Sequence, residues 1–439
     1  MTSDLSTSEE IAHTVLVDPV PASARTANQT LTADGRPPGV PAPRSLSRFS
    51  ILDPRFQVNP HMTPTFDTLD TPAALIDLSR MQHNIDRMQQ CADRLGVRFR
   101  PHAKTSKCAE VVHAQVAAGA QGITVSTLKE ADQFFDAGIK DILYAVGMAP
   151  HRLPHALALR RRGCDLTIIT DSVVGAQAIV DFGREHKEVF PVLIEIDTDG
   201  HRSGITPDDA VLLDVGRVLH DGGMTLAGVL THAGSSYELN TPEALASLAE
   251  QERVGCVRAA ERLRAAGLPC PVVSVGSTPT ALEAANLEGV TELRAGVYVF
   301  FDLVMHNVGV CRVEDLALSV LTTVIGHQAE KGWVIVDAGW MAMSRDRGTS
   351  KQQRDFGYGL VCTPDGEVLE GYVMIGANQE HGILAREGAP DPDVVTRFPT
   401  GTRLRILPNH ACATGTQFPQ YQALSQDGSL QTWTRFHGW

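Results

Sequence analysis

Short apolar runs alternate with helical periods from Pro72 to about residue 300. The run Ala74-Leu-Ile-Asp-Leu78 reads as a strand, and apolar positions recurring through Met88 and Ala92 read as the helix behind it. Further strand-like runs lie at 97–100, 123–126, 142–146, 166–169, 192–196, 224–230, 272–275 and 292–294. Helical patterns fall between them, at 108–118, 128–137, 153–159, 210–219 and 244–266. Gly96, Gly138, Gly163 and Gly267 stand where a helix has to turn into the next strand. About eight strand–helix units in roughly 230 residues predict an α/β fold, a closed (β/α)8 barrel of parallel strands. A doubly wound open sheet is the alternative. It normally carries a glycine-rich crossover after an early strand, and none is present.

The texture changes after Phe300. Runs at 319–325, 332–337, 371–375 and 403–407 are β-rich, are separated by turns such as Pro364-Asp-Gly366, and have no long helix between them. They predict a second, mainly β domain of about 120 residues. The opening of the chain is different again: Gly35-Arg-Pro-Pro-Gly-Val-Pro-Ala-Pro43 supports neither a helix nor a central strand. The expected organisation is a poorly ordered extension over 1–50, a lead-in over 51–71 packed on the β domain, a barrel over 72–315 and the β domain over 316–439. Met62 is an alternative start, and a transit peptide is disfavoured by the acidic residues of the extension.

Composition narrows the partners. A net charge of -13 over 439 residues, with 20% charged and 43% hydrophobic positions, suits a soluble folded protein. It argues against nucleic-acid or anionic-membrane binding. No run approaches membrane-spanning length, and the N-terminus lacks a basic-then-apolar secretory pattern. The eight cysteines show no tight paired spacing, so Cys108, Cys256 and Cys311 read as small buried hydrophobes in a reducing cytoplasm.

Three segments carry candidate chemistry. Lys104 lies in the basic run from Arg98 to Lys107, Gly276-Ser-Thr-Pro-Thr280 offers small residues, hydroxyls and amides for a phosphate, and Pro408-Asn-His-Ala-Cys412 offers an imidazole and a thiolate. Each has an ordinary counterpart: an anion-binding surface loop, a Ser/Thr/Pro turn, a buried cysteine beside a hydrogen-bonded histidine. Together they suggest an amine nucleophile, an anchor for a phosphorylated cofactor and a soft metal site. His410 and Cys412 are two residues apart, so in an extended strand both side chains would face one way.

Here the chain resembles the D-serine dehydratase and D-threonine aldolase group of the alanine-racemase-like, fold-type III pyridoxal-phosphate enzymes. The likeness covers roughly residues 66 to 435 and rests on Pro101-His-Ala-Lys104, Thr231-His-Ala-Gly234, Gly276-Ser-Thr-Pro-Thr280, Asp337-Ala-Gly339, Gln379-Glu-His-Gly382 and Pro408-Asn-His-Ala-Cys412. The resemblance implies a barrel plus a β domain, a homodimer, and an active site at the barrel mouth completed by the β domain. It implies that Lys104 forms the Schiff base with pyridoxal 5'-phosphate, an amine that must be neutral to attack a carbonyl. Arg100, His102 and Lys107 are expected to depress its pKa. The cofactor would further meet Arg202 near its ring or phenolic oxygen, His232 flanking the ring, Tyr237 and Tyr298, and its phosphate would lie against Gly276, Ser277 and Thr278.

The same resemblance implies zinc on His410 and Cys412. A His-x-Cys pair suits the dehydratase branch and zinc, whereas the aldolase branch has His-x-Asp and favours Mn2+ or Mg2+. The expected reaction is β-elimination from a D-3-hydroxy amino acid such as D-serine or 3-hydroxy-D-aspartate, giving a 2-keto acid and ammonia. Lys104 would move the α-proton, and His381 would assist on the metal side. The alternatives are an aldolase acting on D-threonine or 3-hydroxy-D-aspartate, releasing glycine and an aldehyde, and a non-catalytic carrier of pyridoxal phosphate. Arg345, Arg347 and Arg354 are candidates for recognising a second substrate carboxylate.

Overall fold

The computed structural model describes residues 66–439, so the extension over 1–50, the first part of the lead-in and Met62 lie outside the described residues. Strand β1 (Ala73–Asp77) precedes β2 (Arg98–Pro101), β3 (Ile123–Val125), β4 (Asp141–Gly147), β5 (Asp165–Thr170), β6 (Pro191–Ile196), β7 (Thr225–Thr231), β8 (Val272–Val275) and β9 (Glu292–Ala295). Strands β2 to β9 form one eight-stranded sheet in the order β2-β9-β8-β7-β6-β5-β4-β3, with every pairing between strands parallel. The gap between β2 and β3 is spanned by a bridge from His102 to Thr124, where the amide of Ala103 donates to the Thr124 carbonyl at 2.8 Å. The sheet therefore closes on itself, which excludes the open doubly wound arrangement.

Alternation along the strands explains the layers. Ile142, Ile168, Ile194 and Val229 point outward into the large core shared with the helices. Their neighbours Leu143, Ile169, Leu193 and Leu230 form a separate apolar cluster within the barrel. Helix ends follow the glycine signal: at Gly138, φ of +94° closes the helix Leu128–Asp136 in a conformation that a side chain resists. The helix Leu78–Arg94 begins where Asp77 accepts from the amide of Arg80, and it buries Met81, Ile85, Met88 and Ala92 on one face.

The second sheet holds nine strands: β1 with β10 (Leu318–Gln328), β11 (Trp333–Val336), β12 (Gly359–Cys362), β13 (Val368–Ala377), β14 (Gly382–Arg386), β15 (Arg403–Pro408), β16 (Gln420–Leu424) and β17 (Leu430–Thr434). This corrects one expectation. The first apolar run is not a barrel strand; β1 runs antiparallel to β10 and parallel to β16. A run apolar on both faces suits a central strand of either sheet, and its partners lie far along the chain. The residues just before β1 pack on this sheet too. Phe66 and Leu69 cover Ala73, Leu75 and Leu321, and Arg403 Nη1 donates to the Leu69 carbonyl at 2.7 Å. All eight cysteines are free thiols, and Cys108, Cys256 and Cys311 are buried as expected. Among the described residues no helix is long and apolar enough to cross a membrane.

Candidate active site

The C-terminal ends of the barrel strands open into a cavity of roughly 1070 Å³, whose lining also includes residues from the second sheet. Barrel residues on that lining include Lys104 after β2, Arg202 after β6, His232 after β7, Gly276, Ser277 and Thr278 after β8, and Arg294, Gly296 and Val297 at the end of β9. Asp346, His410 and Cys412 reach it from the other side. The fold thus brings Lys104, Arg202, His232, Tyr237, the glycine–serine–threonine turn and the His410–Cys412 pair to one space.

Two expected members are elsewhere. Tyr298 is fully buried and off the lining; its hydroxyl accepts from Gln115 Nε2 at 2.8 Å, and its ring meets Phe99 edge-on at 5.4 Å. His381 is exposed in the connection between β13 and β14, and it does not line the cavity of its own chain. The arginines considered for a second carboxylate are also committed: Arg345 stacks on Trp340, Arg347 pairs with Asp355 at 2.6 Å, and Arg354 pairs with Glu387 at 2.9 Å.

Lys104 follows the short turn that β2 makes after bridging to β3. Two cations expected to act on it are neutralised instead. Arg100 is held by Glu292 and Asp141, each at 2.7 Å, and Lys107 by Glu130 at 2.9 Å. His102 and His232 also lie near Lys104. Burial first, then the Lys104 ammonium, keeps both imidazoles neutral; His102 lies well below the usual histidine range and His232 falls to about 3. His232 Nδ1 lies 3.2 Å from the Gly276 carbonyl, which a neutral ring satisfies by donating from that nitrogen. Tyr237 lies 6.2 Å from His232, centroid to centroid, and burial, then Cys412 and Asp302, raise its hydroxyl so that it stays protonated.

The phosphate turn differs from expectation in its details. Gly276 adopts φ of +129°, where a Cβ would meet the Arg294 carbonyl at 2.2 Å. Its amide donates to Glu252 Oε1 at 2.9 Å, and that of Ser277 to Thr280 Oγ1 at 3.0 Å, so neither amide is available to an anion. Beside this turn, the amides of Thr278, Gly296 and Val297 have no acceptor among the described residues, and all three residues are on the cavity lining. Unpaired amides at a largely buried mouth fit a phosphate dianion. Glu252 organises the turn. Its carboxylate also accepts from the Ala233 amide at 3.0 Å and from Thr280 Oγ1 at 2.8 Å, tying the ends of β7 and β8 together.

His410 and Cys412 do not lie along a strand. Strand β15 ends at Pro408, His410 is the residue before a one-turn helix at Ala411–Gly415, and Cys412 is inside that turn. Their convergence comes from the turn rather than from the pleat. Asp302, buried in the barrel, accepts from the Ala411 amide at 2.9 Å and fixes the peptide between the two. His410 Nδ1 donates to Asp346 Oδ2 at 2.6 Å, which leaves Nε2 for another partner. Burial opposes charge on both groups, yet each stabilises the other's ion. Cys412, then Asp346, raise His410 to about 11, and His410, then Lys104, lower the Cys412 thiol. Among the described residues no group of three His, Cys, Asp or Glu could hold a metal. A metal here would rest on the nitrogen–sulfur pair, its other positions completed by water or substrate oxygen. The orienting carboxylate on the far imidazole nitrogen suits that role.

A lysine at the mouth of a closed parallel barrel, unpaired amides for a phosphate, and an added β domain bearing a soft donor pair define a class of pyridoxal-phosphate enzyme. Comparison with known proteins agrees: the model described as "Alanine racemase, N-terminal domain" matches residues 76–304, and a serine dehydratase domain matches 317–424. The chain belongs to the alanine-racemase-like, fold-type III family. It is 74% identical over 380 residues to D-threo-3-hydroxyaspartate dehydratase of Delftia sp. (strain HT23), covering 86% of this chain and 100% of that one. A solved structure of that enzyme matches with a TM-score of 0.85, over 85% of this chain and all (100%) of the other. Others carry a histidine-to-alanine change, or a cysteine-to-alanine change in the metal-free form. D-Threonine aldolase of Arthrobacter sp. is 32% identical over 357 residues, covering 78% of this chain and 86% of the aldolase. D-Serine dehydratase of Dictyostelium discoideum is 29% identical over 385 residues, covering 83% and 95%. The chain is a pyridoxal-phosphate-dependent lyase.

Proposed function

We propose that this enzyme eliminates water from a D-3-hydroxy amino acid, with D-threo-3-hydroxyaspartate its substrate and oxaloacetate and ammonia its products. The observation that carries this reading is the placement of Cys412 and His410 on the same cavity as Lys104, with the Lys104 charge acting on the Cys412 sulfur. The name and 74% identity of the Delftia relative support the substrate. The histidine and cysteine altered in its solved variants are two residues apart in that protein, as His410 and Cys412 are here.

In this reading Lys104 would hold the cofactor aldehyde, Arg202, His232 and Tyr237 would line the space for its ring, and Gly276, Ser277, Thr278, Gly296 and Val297 that for its phosphate. Pyridoxal phosphate supplies an electron sink for the bond broken at Cα. Zinc, held by His410 and Cys412, would supply a Lewis acid for the β-hydroxyl. Lys104 would also take the α-proton, and its fixed place on one wall would select the D enantiomer. The neutral ring of His232 keeps its proton, and Asp346 holds His410 in orientation. Water is lost from Cβ, and a later water enters at Cα as ammonia leaves. A homodimer and a reducing compartment, consistent with eight free thiols, complete the proposal.

The test is metal exchange. The protein stripped with a chelator should lose keto-acid formation and regain it with zinc in preference to manganese. Preferential rescue by manganese with glycine as product would favour the aldolase.

A further inference from the structure

We infer that Lys351 recognises the second carboxylate of the substrate, making this site selective for a D-3-hydroxy dicarboxylic amino acid over D-serine. The inference rests on the proposed function. Four Lys and Arg side chains line the cavity: Lys104, Arg202, Arg294 and Lys351. Lys104 is assigned to the cofactor, and Arg202 pairs with Glu195 at 3.5 Å. Arg294 is buried, with its guanidinium donating to Ser274 Oγ at 2.9 Å and to the Thr231 carbonyl. Lys351 has no carboxylate partner and no side-chain hydrogen bond among the described residues.

Its position matters as much as its charge. In 3-hydroxyaspartate the leaving hydroxyl and the second carboxylate share one carbon, so the groups that read them must be neighbours held in fixed relation. One loop supplies that relation. Asp346 holds His410, and three residues on, Thr349 Oγ1 donates to Asn409 Oδ1 at 3.1 Å, next to His410 in the chain. On the far side of Lys351, Gln352 Oε1 accepts from Asn307 Nδ2 at 3.1 Å, fastening the turn Gly348–Lys351 to the barrel helix Leu303–Val308. The backbone that carries Lys351 is thus clamped to the metal-ligand turn on one side and to the barrel on the other. Lys351 is exposed and its stem must still be ordered on a ligand, but the clamped backbone fixes the region of the cavity that its ammonium can reach.

The experiment compares wild type with Lys351→Met and Lys351→Arg holoenzymes. Loss of a charge-assisted contact should lower kcat/KM for D-threo-3-hydroxyaspartate by about tenfold or more in Lys351→Met, while D-serine changes by less than about threefold. Lys351→Arg should recover part of the loss. Calorimetric binding of D-aspartate and D-alanine, which have no β-hydroxyl to lose, gives a second measure that does not depend on turnover. Weakening of D-aspartate alone supports the inference, even if the dehydration proposal fails. Equal weakening of both ligands, or of neither, overturns it.

Discussion

Asp346 accepts a 2.6 Å hydrogen bond from Nδ1 of His410, although the two are 64 residues apart in the chain. The bond fixes the ring plane and reserves Nε2, and it links the loop bearing Lys351 to the turn bearing Cys412. A carboxylate in this relation to an imidazole raises its basicity and holds it in one orientation.

Replacing Asp346 with Ala should therefore weaken zinc binding by about 10- to 100-fold, with activity recovered at high zinc concentration. Competition against a chromophoric chelator measures the affinity. An unchanged affinity would remove Asp346 from the metal site.

Lys104→Ala should abolish both the visible absorbance of the lysine-bound cofactor and turnover. Lys107→Ala should retain both, because Lys107 is paired with Glu130 at 2.9 Å rather than directed to the cavity. Borohydride reduction followed by peptide mapping would locate the modified lysine, and finding it at residue 107 would reverse the assignment.

Arg100→Met should destabilise the barrel by about 3–5 kcal/mol, since it strands the carboxylate of Glu292 without its 2.7 Å partner. Adding Glu292→Met should restore part of the loss. Urea unfolding of the two single variants and the double variant measures the coupling, and strict additivity would count against the pair.

The folded protein should also lose stability in mild acid. Burial, then Lys104, hold His232 at about 3, whereas an unfolded histidine titrates at about 6.5. Folding therefore excludes a proton: the His232 contribution is complete above about pH 6.5 and falls as pH drops toward 3. Between pH 7 and 5 wild type should lose about 1–2 kcal/mol more than His232→Asn, read by denaturant unfolding. Parallel losses in the two proteins would show that His232 is not held neutral.

Much of the barrel was legible because most strand runs alternated with helical periods, and Gly96, Gly138, Gly163 and Gly267 marked helix ends. The first run was not. Ala74 and Ile76 belong to the main core while Ala73 and Leu75 pack with Leu321, so nothing local told the two sheets apart. At the site, residue types were readable but their bonding was not. Gly276 and Ser277 looked like phosphate donors, yet buried Glu252 and Thr280 take their amides. The amides that remain at Gly296 and Val297 have no side-chain signature to find. The basic run around Lys104 gave no sign that Arg100 and Lys107 are paired, because their partners Glu292, Asp141 and Glu130 are distant in sequence. The His-x-Cys spacing was informative for a different reason than the pleat, since a one-turn helix brings the pair together.

The most direct measurement is the product balance from D-threo-3-hydroxyaspartate incubated with zinc-loaded holoenzyme. Oxaloacetate and ammonia should appear in equal amounts, with no glycine and with little product from the L enantiomer. Glycine and glyoxylate in equal amounts, without oxaloacetate, would contradict dehydration at this site.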